Sequence, residues 1–196
     1  MDIVSFSSQW VDIANRALLR IGQRAVQSLD DGSTSANYCM QLLPNAIDAV
    51  LSVYPWRDCL KRSQLAPIAS SPAYGFKHQF VLPKDFARLK SVSTSFDDGQ
   101  ADSTWSLEGS YILSDSDTIN ILYSALPTTP EALSASTRDL IVRQLAYLIS
   151  IPLIKNEGMT SRLLSEYQSA LSIAINQDNV VHYEEDTSVG WLDLER

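Results

Sequence analysis

Only two cysteines and two histidines occur in the 196 residues, and neither pair is placed for chemistry. Cys39 and Cys59 belong to no CxxC and have no histidine nearby, so a zinc or redox motif lacks its ligands. Their expected state is that of buried small hydrophobes. His78 and His182 stand apart and read as polar surface residues. Walker A, GxGxxG, HExxH and GxSxG patterns are all missing. No apolar run approaches the roughly 20 residues of a membrane span; the longest, residues 145–154, is too short and contains Pro152. Residues 1–5 carry neither a basic region nor a cleavage site, which predicts no signal peptide and synthesis in a reducing cytoplasm. Positive charge is also short, with 15 Lys and Arg against 23 Asp and Glu, a net charge of −8. That balance disfavours a tight grip on nucleic acid, which needs cations to neutralise phosphates.

What is present is strongly patterned. Ser8 can cap a first helix with Trp10, Ile13, Ala14, Ala17, Leu18 and Ile21 at helical spacing, closed by Gly22. After the turn-rich residues 28–33, Ser33 or Thr34 can cap a second helix. Ala36, Cys39, Met40, Leu43, Ile47, Val50 and Tyr54 fall on one face of it. Asn37, Gln41, Asn45, Asp48 and Ser52 lie opposite, and Pro44 should kink it. Pro55 pushes Tyr54 out of the helical region, so this helix must stop there. Tyr54, Pro55 and Trp56 thus form a structural joint, with Trp56 as its buried pin.

Beyond the joint the period changes from helix to strand. Residues 79–82 and 87–92 read as short strands around Pro83-Lys84-Asp85. Residues 105–108 and 111–113 flank Gly109-Ser110, a two-residue type II′ hairpin signal. Residues 114–117 turn, and Ile119, Ile121 and Tyr123 alternate with polar neighbours or Leu122. The spaced Asp115 and Asp117 lack the glycine and glutamate of a calcium loop. Lys61, Arg62, Lys77, Lys84, Arg88 and Lys90 gather around this region, as a nucleic-acid patch or, more simply, as charge that guards solvated strand edges.

Helix returns after Pro130, with Ser136 and Asp139 as a weak capping box. Residues 140–151 are apolar almost all round, which predicts a helix buried on several sides and ended by Pro152. Met159, Leu163, Tyr167, Ala170, Leu171 and Ala174 mark a fourth helix. From Val180 the pattern is lost. Tyr183, Trp191, Leu192 and Leu194 sit among acids beyond an already complete core, as a docking segment would.

The fold class expected is α+β: an antiparallel bundle of about four helices, a small inserted antiparallel β unit and an extended C-terminal tail. Residues 1–70 and 126–178 form the bundle, 71–125 the insertion and 179–196 the extension. No cofactor, metal or catalytic residue is assigned. The acidic pairs in turns simply face water. An alternative function keeps the chain an enzyme, a virion-associated peptidoglycan hydrolase using carboxylates such as Glu157 or Glu166 as a pair.

Several blocks in order resemble a known family: Ala14-Asn15-Arg16-Ala17-Leu18 with Ile21-Gly22, residues 28–33, and Tyr54-Pro55-Trp56 followed by Leu60-Lys61-Arg62 and Leu65-Ala66-Pro67. Phe80-Val81-Leu82-Pro83-Lys84-Asp85, Leu107-Glu108-Gly109, Ile121-Leu122-Tyr123 and the closing helices around Leu145 and Tyr167 continue the series. Over residues 10–178 the chain resembles the head-to-tail adaptors of short-tailed phages, the tail tubular protein A family. It departs from them at Arg57-Asp58-Cys59, where apolar or aromatic residues are usual, and at Phe76 in place of Trp. The resemblance implies a virion protein, not an enzyme, at the interface of head and tail. It implies a homo-oligomeric ring of twelve copies between the portal protein and the tail nozzle protein. Double-stranded DNA would pass through the channel without specific binding, and an acidic lumen would not hold it. Tyr183, Trp191, Leu192 and Leu194 would reach the portal.

Overall fold

The computed structural model describes residues 3–93 and 104–187. The chain divides into two compact units, one of Met1–Asp58 with Thr128–Arg196 and one of Cys59–Pro127. Four α-helices build the first and two small antiparallel sheets the second, an α+β fold.

In the helical unit, α1 (Ile3–Arg20) buries Trp10, Ile13, Ala14, Ala17 and Leu18, the stripe its spacing predicts. Ser8 does not start it. Residues 3–7 contain no proline or glycine to stop propagation, and the helix begins before the serine. Its other end closes as expected. Gly22 takes φ +72°, its N–H donates to the Leu19 carbonyl at 3.1 Å, and Gln23 N–H donates to that of Leu18 at 2.9 Å. This is a Schellman closure, and a side chain at position 22 would strain its left-handed backbone. The loop that follows is clamped by Asn15, whose amide donates to the Val26 carbonyl (2.9 Å) and accepts from its N–H (2.7 Å).

Ser33, not Thr34, caps α2 (Thr34–Val53), its Oγ accepting from Ala36 N–H at 3.2 Å. The helix continues through Pro44, which is exposed. Pro44 has no N–H to give the Met40 carbonyl, and its ring stands on the exposed side of the helix. Tyr54 ends α2 in extended conformation (φ −146°, ψ 144°), as a residue before proline should.

The apolar helix α3 (Ala135–Ile154) packs against α1, α2 and α4 (Glu157–Thr187), which explains why it has no polar face. Two details differ from the local reading. Ser134, not Ser136, is the N-cap, accepting from Thr137 N–H at 3.2 Å. Pro152 does not end the helix but sits in its last turn, where its missing N–H leaves the Leu148 carbonyl without its helical donor and the helix closes two residues later. Lys155, at φ 52°, is the terminator. Asn156 then starts α4, accepting from Met159 N–H at 3.1 Å. This helix is longer than its apolar pattern, and its backbone carries the 179–196 extension as helix to Thr187.

In the β unit, β1 (Leu60–Leu65), β6 (Ile119–Ala125) and β3 (Phe86–Ser93) form one sheet in the order β1-β6-β3. The strands β2 (His78–Val81), β5 (Tyr111–Ser114) and β4 (Trp105–Glu108) form the other in the order β2-β5-β4. Phe80 and Ile112 from one sheet and Val92, Ile119, Ile121, Tyr123 and Ala125 from the other share a core. Gly109 at φ +57° makes the hairpin turn, with Glu108 facing Tyr111. Positive φ at the first turn residue alone is the type II′ pattern that Gly109-Ser110 predicts. The unit begins at Cys59, not at residue 71, because Leu60–Leu65 is a strand paired with β6.

Candidate functional site

The joint after α2 ties three helices of the helical unit together. Trp56 is 2% exposed, and its indole Nε1 donates to the Val50 carbonyl at 2.8 Å, closing the end of α2 with a side chain. Tyr54 meets it edge-on, ring centroids 4.9 Å apart. The Tyr54 hydroxyl donates to Asn179 Oδ1 of α4 at 2.7 Å. Burial first, and the nearby Asp178 carboxylate second, raise the Tyr54 phenol above its ordinary pKa.

Two residues further on, Asp58 Oδ2 accepts from Ser134 N–H (2.6 Å) and from Thr137 Oγ1 (2.9 Å) at the start of α3. A carboxylate at a helix N-terminus satisfies orphan N–H groups and complements the helix dipole. In the sequence Asp58 stands out only as a departure from the family pattern, with no role attached. Its partners lie 76 and 79 residues away, and no local signal connects them. Trp56 and Asp58 serve helix ends and Tyr54 ties the joint to α4, so these contacts are architectural.

The two glutamates of the enzyme alternative are not brought together. Nine helical residues separate Glu157 from Glu166, a rise of about 13 Å and half a turn beyond two full ones, which puts them on opposite sides of α4. Glu166 is engaged elsewhere, by Arg20 of α1 (Oε2, 2.6 Å) and Arg162 (Oε1, 3.6 Å). Among the described residues no group of three or more His, Cys, Asp or Glu could hold a metal ion. There too, no helix is long and apolar enough to cross a membrane. The turn bearing Asp115 is tied to the chain entering β2, its Oδ1 accepting from Lys77 N–H at 2.9 Å.

No family model matches this chain, and no curated protein does.

In the β unit, Asp85 accepts from Lys61 Nζ (2.7 Å) and from the Tyr123 hydroxyl (3.0 Å). Burial alone would raise the Asp85 carboxyl. The hydrogen bonds from Lys61 and Tyr123, with the Lys61 charge, outweigh it and hold the pKa below the ordinary value. Burial, reinforced by Asp85, pushes the Tyr123 phenol up to about 12. This cluster locks the β2–β3 turn onto β1 and β6, again through partners far apart in sequence. Val81, Trp105, Leu107 and Tyr111 leave large apolar surface exposed on the β2-β5-β4 sheet. On α3 and α4 an open groove of about 430 Å³ runs past Arg143, Arg162, Glu166, Ala170 and Ile173. Of the expected docking residues, Tyr183 lies on the last turns of α4 with its side chain outside the described residues. Trp191, Leu192 and Leu194 fall outside them entirely.

Proposed function

We propose that this protein is a head-to-tail adaptor of a short-tailed phage virion. It forms a ring of twelve copies that joins the portal protein to the tail nozzle protein and lines the DNA exit channel. The observation that carries this reading is the architecture: a helical unit made from two separated segments, with a β unit inserted between them. A helical unit and a β unit in one chain offer separate surfaces to two partners, as a protein joining a portal to a nozzle needs. The joint supports it further, since Trp56 and Asp58 spend their chemistry on helix ends rather than on a substrate. The exposed apolar residues of the β2-β5-β4 sheet suit a surface that meets another protein, here the nozzle. The net charge of −8 suits a channel that DNA passes without sticking. Tyr183, Trp191, Leu192 and Leu194 are the residues proposed to reach the portal.

The test is the mass of the purified protein, alone and mixed with portal. A ring on the portal is expected, and a protein that never joins one would sink the reading. Clearing of a cell-wall suspension, lost on Glu166→Gln substitution, would instead promote the hydrolase.

A further inference from the structure

The groove between α3 and α4 has an apolar floor and an under-used cation at its rim. Ile173 is 58% exposed there, beside Ala170. Arg143 is held by Asp139 at 2.6 Å. Arg162 is different. Its side chain is 64% exposed, and its carboxylate neighbour Glu166 lies at 3.6 Å while pairing more closely with Arg20 at 2.6 Å. Three guanidiniums (Arg20, Arg143, Arg162) against two carboxylates (Asp139, Glu166) leave the groove one positive charge in excess. An occupant should therefore present an apolar anchor next to acids.

This chain carries such a segment. Residues 191–195 read Trp-Leu-Asp-Leu-Glu, and residues 184–186 are all acidic. Tryptophan is the commonest kind of interface anchor, and a carboxylate beside it would complete the coordination of Arg162. The segment's backbone stops short of Arg162 in its own copy. From Thr187 back to Arg162 the helix α4 rises about 37 Å. Glu195, the last acid of the segment, lies eight residues beyond Thr187, and an extended chain of that length spans about 29 Å at most. We infer that residues 191–195 of one copy dock in the Arg162–Ile173 groove of a second copy. One tail and one groove per copy make a head-to-tail contact, which propagates until a ring closes. The inference goes beyond the adaptor reading and concerns the protein alone, before any portal is met. Trp191, Leu192 and Leu194 would have to leave the groove to reach the portal, so the two uses of the tail exclude each other.

The experiment uses two full-length variants and light scattering after size separation. One carries Trp191→Ala with Leu192→Ala and lacks a working tail; the other carries Arg162→Glu and lacks a working groove. Wild-type protein should self-associate, and each variant alone should associate roughly thirtyfold more weakly, as expected for losing a hot spot. Mixed in equal amounts, the two should form a dimer that grows no further, because only one intact tail and one intact groove remain. Adding Asp193→Lys to the Arg162→Glu chain should restore its self-association. A monomeric wild type would overturn the inference. So would variants that assemble like wild type, or folded variants whose mixture stays monomeric. Circular dichroism of each variant establishes that it is folded.

Discussion

Replacing Trp56 separates the apolar and polar parts of the joint's stability. The side chain is 2% exposed and donates one hydrogen bond, at 2.8 Å, to the Val50 carbonyl. Trp56→Ala removes both the indole body and that bond. Large-to-small changes at such a site cost about 3–5 kcal/mol. Trp56→Phe keeps an aromatic body against Tyr54 but leaves the Val50 carbonyl without its indole donor, a loss of about 1–3 kcal/mol. The phenylalanine variant should therefore sit between wild type and alanine. Urea unfolding followed by circular dichroism at the helical band is the assay. All four helices belong to the same compact unit, so the signal reports the unit that Trp56 pins. Pro55 remains in both variants, so the end of α2 should not move. An alanine variant within about 0.5 kcal/mol of wild type would refute the account, because that is the ordinary scale of surface substitutions and not of a buried pin. A phenylalanine variant as unstable as alanine would refute the division between ring and hydrogen bond.

Other outcomes follow from single contacts. Ser134→Ala should cost about 1 kcal/mol as the loss of a helix cap, whereas Ser136→Ala should stay within about 0.5 kcal/mol; thermal melts showing the reverse order would sink the assignment. Asp85→Asn should lower the Tyr123 pKa from about 12, while burial keeps it above the ordinary phenol, as read by NMR titration of the ring carbons. With Tyr123 raised in the folded state, the unfolded chain loses that proton first, so stability should fall as pH climbs above about 10. Asp85 works in the opposite range: its lowered pKa adds stability at neutral pH that is lost as the medium is acidified through the folded value. Burial pushes the Cys39 thiol up to about 11, so an alkylating reagent at mildly alkaline pH should spare it in folded protein and label it in urea. Glu166→Gln should cost under about 1 kcal/mol, because its pair with Arg20 is partly open to solvent; a larger loss would show the pair to be better shielded than its exposure implies.

How much the sequence alone determined can be seen element by element. Features set within a few residues were legible: Gly22 in a left-handed closure, Tyr54 forced out of the helix by Pro55, and Gly109-Ser110 in a two-residue turn. Each depends on backbone sterics that a residue imposes on itself or its neighbour. The apolar stripes of α1 and α2 were legible too, because helical period decides which side chains share a face. Tertiary structure decided the rest. The strand β1 reads Leu-Lys-Arg-Ser-Gln-Leu, too polar to announce itself, and becomes a strand only because β6, more than fifty residues later, supplies its hydrogen bonds. Asp58 looked like an interruption after the Pro-Trp pair until folding set it at the start of α3. Glu166 looked available for chemistry until Arg20, 146 residues away, was placed beside it. A local rule sees dihedral angles and period. A partner distant in the chain leaves no such trace, so the unit boundary at Cys59, the use of Asp58 and the engagement of Glu166 were settled only by packing.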